Sequence, residues 1–175
     1  MIKNVFFVLI TLALSLAVYL YFYLGFYKPV EIAIAKRGPL IMLYKEHTGA
    51  YHLIGAAISE VERWAREHNV PCEKTFGEYL DDPAAVDQDR LRSHAGCILS
   101  SPFSGQSPYQ TETRAEAEYV VARFTGSPSI GPFRVYPRAQ KFIEEQRLKV
   151  AVPVIEVYLV RGSDVETEIL FRIER

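Results

Sequence analysis

Residues 5–27 run for 23 positions without a charged side chain, VFFVLITLALSLAVYLYFYLGFY, and this stretch limits what the chain can be. As a helix rising 1.5 Å per residue it reaches about 34 Å, enough to cross a hydrocarbon layer of about 30 Å with some tilt. Tyr19, Tyr21, Phe22, Tyr23, Phe26 and Tyr27 crowd its C-terminal end, where aromatic rings favour the headgroup boundary. Lys3 and Lys28 bracket the run. A cleaved signal peptide has a shorter apolar stretch followed by small residues at the cleavage site, whereas bulky aromatics dominate after Leu16. A retained single-pass anchor over residues 1–28 is therefore expected, with residues 5–27 in contact with a lipid bilayer, either a bacterial inner membrane or the endoplasmic reticulum. Lys28, Lys36 and Arg37 slightly outweigh Lys3 and the amino terminus, so the positive-inside rule leans towards a cytosolic domain.

Residues 29–175 are enough for one domain that buries its own core. With 20 basic and 21 acidic residues the formal charge is -1, which leaves no basic stripe for nucleic acid. Cys72 and Cys97 lack CxxC spacing and are too few for a disulfide framework. They could pair in an oxidising compartment; two isolated thiols are the expectation.

Val30-Glu31-Ile32-Ala33-Ile34-Ala35 alternates as a strand, Arg37-Gly38-Pro39 is a turn, and residues 40–46 read as the next strand. After Gly49, the apolar residues Ile54, Ala57, Ile58, Val61, Trp64 and Ala65 recur at helical spacing, predicting a helix over residues 50–68. Strands at 74–80 and 95–99 follow, then a loop over residues 100–113 rich in Ser, Pro and Gly. The order then repeats: a strand at 119–124, a helix at 130–148 that Pro137 kinks or starts, and a hairpin of 152–160 with 168–173 around residues 161–164. Thr48-Gly49 and Thr125-Gly126 end corresponding strands 77 residues apart. The expected fold is α+β: two β-α-β-β units form one antiparallel sheet with both helices on one face, leaving the other face free to hold something.

Glu156 stands out in the middle of an apolar strand. Side chains alternate along a strand, so Ile155, Val157 and Leu159 are expected against the helices, and Glu156 with Tyr158 on the opposite, concave face. A carboxylate there is costly unless partnered, wetted or used. A water-exposed face and a ligand pocket both satisfy this. Tyr44, Tyr51, Tyr119, Phe133, Tyr136 and Tyr158 fall near strand ends and helix starts that should border such a groove, and aromatic faces around one carboxylate suit lipophilic cations. The four histidines make no metal set, Asp81-Asp82-Pro83 reads as a turn, and no cofactor fingerprint is present.

Three segments resemble the GyrI-like domains, the effector-binding domains of multidrug-sensing transcription regulators and gyrase-inhibitor proteins. They are Tyr44-Lys45-Glu46-His47-Thr48-Gly49-Ala50-Tyr51, then Tyr79-Leu80-Asp81-Asp82-Pro83 with Arg92 and Gly96, and Ile155-Glu156-Val157-Tyr158-Leu159. With the anchor, Ala95-Gly96-Cys97-Ile98-Leu99-Ser100 and Arg134-Val135-Tyr136-Pro137, the chain is also similar to the testis-expressed family of receptors for autophagy of the endoplasmic reticulum. It stops at Arg175, without that family's long tail, so the autophagy role is not carried over. The GyrI-like resemblance implies a small-molecule pocket with Glu156 at its base. The expected function is a membrane-tethered module that senses or sequesters an amphipathic or cationic molecule, needing no cofactor. A hydrolase with Glu156 as general base and Tyr158 or Tyr51 orienting is the second reading, and an adaptor for a protein partner is the third.

Overall fold

The computed structural model describes residues 2–161 and 164–174. Helix α1 spans Ile2–Tyr23 and is long and apolar enough to cross a membrane. Strands β1 (Val30–Arg37) and β2 (Leu40–Thr48) lead through a 3-10 turn, Tyr51–Leu53, into α2 (Ile54–Glu67). Then come β3 (Cys72–Tyr79), β4 (Arg92–Leu99), β5 (Gln110–Arg114), β6 (Ala117–Thr125), α3 (Gly131–Glu145), β7 (Val150–Arg161) and β8 (Asp164–Ile173). Of the turn expected at residues 161–164, Gly162 and Ser163 lie outside the described residues.

The eight strands form one antiparallel sheet in the order β1-β6-β8-β7-β3-β4-β2-β5. The two expected units, β2-α2-β3-β4 and β6-α3-β7-β8, join through β3 and β7, and their strands mirror one another about that seam. Both helices pack on one face. α2 buries Ile54, Ala57, Val61 and Ala65, a spacing of three or four residues that keeps them on one stripe; Val61 and Ala65 pack with Leu43, Cys97 and Leu99, and Ile54 and Ala57 with Ala95. α3 buries Gly131, Val135 and Ala139 against Val120, Ala122 and Ile169. Pro132 stands in its first turn, where a missing N–H is harmless. Pro137 lies inside the helix rather than at its start, so the Phe133 carbonyl has no donor at i+4.

The face away from the helices is not free, which corrects the expectation. β1 and β2 lie six steps apart in the strand order, about 29 Å in a flat sheet at about 4.8 Å per step. Two residues, Gly38 and Pro39, connect them, reaching only about 10 Å. Ala115 and Glu116 join β5 to β6 across the same gap. The sheet must therefore curl until its ends meet. Where they do, Lys36 pairs with Glu116 at 3.3 Å, and Gly38 takes a φ of +115° in a place where a side chain would run into the Glu116 backbone. Met42, Phe76, Val121, Ile155, Val157 and Leu170 fill the curl. Ile155 and Val157 were expected under the helices; they point the other way. Glu78, wholly buried at one side of this interior, is met by His94 at 2.7 Å and by Arg114 at 3.1 Å.

Two local expectations also change. Residues 110–114 are strand rather than loop, pairing with β2 from Leu40↔Arg114 to Tyr44↔Gln110. Gln-Thr-Glu-Thr-Arg has β-favouring threonines but no apolar face, as suits an edge strand. Cys72 and Cys97 are not isolated thiols but a disulfide with a Cα–Cα distance of 5.3 Å. The β3–β4 register shifts between Cys72 and Lys74, and this irregularity carries Cys72 to its partner. The bond closes a loop of sequence separation 25, so changing both cysteines to alanine should cost roughly 3 kcal/mol. The urea midpoint under non-reducing conditions measures this. An unchanged midpoint means the bridge does not stabilise the fold.

Candidate functional site

A cavity of about 1170 Å³ lies on the helix face of the sheet, between the first turns of α2 and α3. β3 and β7, the central pair, form its floor. Glu156 on β7 sits opposite Gly77 on β3, whose missing side chain lets the Tyr79 hydroxyl and the Ile54 side chain lie close over the strand, each 3.1 Å from where a Cβ would stand. The carboxylate is 5% exposed. Tyr136 of α3 donates to Oε1 at 2.8 Å, and Tyr158, two residues along the same strand face, donates to Oε2 at 2.7 Å. The Tyr79 hydroxyl is 3.4 Å from that of Tyr158. Tyr51 packs edge-on against the Tyr79 ring at 4.7 Å. Its hydroxyl donates to the Asp81 carbonyl at 2.9 Å and accepts from the Asp81 N–H at 3.0 Å.

The cavity is acidic. Glu62, Asp81, Asp82 and Glu156 border it, and the described lining includes no lysine or arginine. Burial raises the Glu156 carboxyl above the ordinary carboxylate range, and the hydroxyls of Tyr158 and Tyr136 pull it only part of the way back. Burial and the nearby Glu156 charge hold Tyr136, Tyr158 and Tyr79 well above the ordinary phenol value, so all three stay neutral donors. At the mouth, Arg92 holds Asp81 low through hydrogen bonds of 2.7 and 3.0 Å.

Five of the seven residues singled out in the sequence border this cavity: Glu156, Tyr158, Tyr51, Phe133 and Tyr136. Glu156 and Tyr158 reach it from the helix face, the reverse of the facing expected. Tyr44 and Tyr119 do not reach it. They share strand parity with Met42 and Val121 and so point into the curl, where the Tyr44 hydroxyl donates to Gln110 at 3.1 Å and its ring stacks on His94. Tyr79 and Gly77 escaped the sequence reading. Their signal was strand parity: Tyr79 and Gly77 alternate with Phe76 and Glu78, and Tyr79 opens the Tyr-Leu-Asp-Asp-Pro segment.

Comparison with known proteins bears on this architecture. The model of the GyrI-like small molecule binding domain matches residues 31–174, nearly all of the chain after α1. The chain belongs to the GyrI-like family. A DNA gyrase inhibitor from Pectobacterium carotovorum subsp. carotovorum (strain PC1) is 40% identical over 43 residues, 25% of this chain and 28% of that relative's length. Among solved structures, the EcmrR C-terminal domain superposes with a TM-score of 0.68 at 12% identity, covering 83% of this chain and 98% of that one. SAV2435 bound to tetraphenylphosphonium gives 0.57 at 12% identity, covering 82% and 94%. At such identities these structures show a shared fold. In this GyrI-like chain, the cavity sits where the two repeated units meet, so each repeat supplies one helix and half of the floor.

Proposed function

We propose that the cavity binds an amphipathic cation with Glu156 as its counter-charge, and that α1 holds the domain at a membrane as a sensor or sequestering module. One observation carries the reading: a nearly buried carboxylate faces an aromatic cavity whose described lining holds other acids and no lysine or arginine. Such a carboxylate lacks a partner charge, and a ligand cation over tyrosine faces would supply it. The tetraphenylphosphonium held by SAV2435, a protein of the same fold, is of this chemical class. Hydrolysis is the second reading: each Glu156 oxygen accepts one tyrosine hydroxyl and keeps a second acceptor site for a proton from water, but the acidic, aromatic lining favours a bound cation. The disulfide favours placing the domain on the oxidising side of its membrane, against the slight lean of the flanking basic residues.

Calorimetric titration of the full chain in detergent with tetraphenylphosphonium tests the cation claim. Saturable binding is expected, at least about ten-fold tighter than that of a neutral aromatic of the same shape, a difference of about 1.4 kcal/mol. Equal affinity for the two probes would remove the charge from the argument.

A further inference from the structure

We infer that the cavity opens onto the bilayer, and that Leu53, Phe133 and Val152 form an apolar lip through which an amphipathic cation enters from the lipid. This rests on the proposed anchoring by α1 and names the route by which the ligand arrives.

The segment after α1 is not a loose tether. Leu24 and Phe26 pack into the cluster that α3 buries against the sheet. The Leu24 carbonyl accepts the Ser127 N–H at 3.1 Å, and Gly25 lies so close to Gly126 that an added Cβ would stand 3.3 Å from its Cα. Arg134 donates to the Lys28 carbonyl at 2.9 Å. The end of the apolar helix is thus clamped to residues 126–134, and that same stretch supplies Pro128, Ser129, Pro132 and Phe133 to the cavity wall. Where α1 enters lipid, the cavity's α3 side must lie at the bilayer surface.

The exposed side chains agree. Phe133 is 79% exposed, Leu53 58% and Val152 55%. Phe133 and Val152 border the cavity, and Leu53 sits between the bordering residues His52 and Ile54. Single exposed apolar residues are ordinary on any surface. Three large ones from three separate elements around one opening, beside an apolar helix, mark a surface that meets lipid. The fitting ligand is a long-chain amine or quaternary ammonium, its head at Glu156 and its tail leaving past this lip.

The test uses the full chain in phosphatidylcholine vesicles, with Phe133→Trp and brominated phosphatidylcholine as the quencher. Half-buried Trp64, edge-on to Phe103 and Tyr109, gives the baseline emission of the unsubstituted chain. The added indole should lose its emission to brominated lipid and be shielded from aqueous iodide, while Trp64 emission should not change with bromination. Flotation in a density gradient separates two kinds of failure. If the variant floats with vesicles but its added emission yields to iodide and not to brominated lipid, the lip is wrong and the anchor stands. If the chain does not float, the anchoring reading fails and takes this inference with it. Tetraphenylphosphonium titration in detergent reports on the cavity independently of either outcome.

Discussion

Glu156→Gln should abolish cation binding and yet raise the melting temperature at neutral pH. The two effects share one cause. A unit charge at about 4 Å from a bound cation is worth about 4 kcal/mol at an effective dielectric of 20, so losing it should weaken binding at least about 100-fold. Without ligand, the same charge is a burden: it is 5% exposed, and only neutral hydroxyls from Tyr136 and Tyr158 meet it. The sign of the pH effect follows from the raised carboxyl. Below the unfolded value of about 4.5 both folded and unfolded chains carry the proton and the variant has no advantage. As pH rises past that value, the unfolded chain ionises first, and the wild-type fold loses stability until Glu156 ionises too. Glutamine removes that loss, a gain of roughly 1–3 kcal/mol, which at roughly 2–4 °C per kcal/mol is several degrees. Thermal unfolding followed by circular dichroism at pH 4, 6 and 8 measures it. A variant that melts lower than wild type at pH 8 would mean that the tyrosine bonds to the carboxylate outweigh its desolvation. The same linkage makes cation binding tighten with rising pH, since the bound cation requires the ionised form. Among the described residues that line the cavity there is no lysine or arginine, and His52 is the one imidazole, so the pH series is read beside His52→Gln.

Gly96→Ala should leave no folded protein. Gly96 lies in β4 between β3 and β2, opposite Tyr44 and Phe76. A Cβ there would overlap the Leu43 carbonyl oxygen and come within 2.8 Å of the Tyr44 Cα. Both atoms are backbone of a paired strand, so neither can rotate aside as the tip of a side chain would. Relieving the overlap means parting β2 from β4 while Leu43 and Tyr44 belong to the core on opposite faces. The expected loss exceeds about 4 kcal/mol, a large share of a typical domain's stability. Insoluble expression, or the lack of a cooperative urea transition, is the readout. A soluble variant with an unchanged midpoint would show that these two strands have more freedom than their contact allows.

The duplicated order was legible in the sequence because each helix kept a 3.6-residue apolar stripe and each strand lay between turn residues. The facing of β7 was not. Alternation separates Ile155 and Val157 from Glu156 and Tyr158, but it says which residues share a face and not which face meets the helices. Both faces of this sheet are covered, so no wet side existed to settle the matter. The same ambiguity put Tyr44 and Tyr119 in the wrong company, since their facing depends on a curl created by pairings between distant strands. Tyr136 was legible as an aromatic at a helix start. Its bond to Glu156, 20 residues away, depends on how α3 crosses β7. The disulfide depended on strand register, which no local spacing encodes.

The curl has a consequence for how the chain is made. β1 pairs only with β6, and 79 residues lie between Arg37 and Ala117. At about 5–20 residues per second, a ribosome needs several seconds or more to deliver that partner. Until then the first strand synthesised waits as an open edge, while β2, β3, β4 and β5 already find their neighbours among themselves. Duplication has thus produced two units that are similar in pattern but unequal during biogenesis: the first can pair its strands before the second is made, and the second must arrive to cover β1.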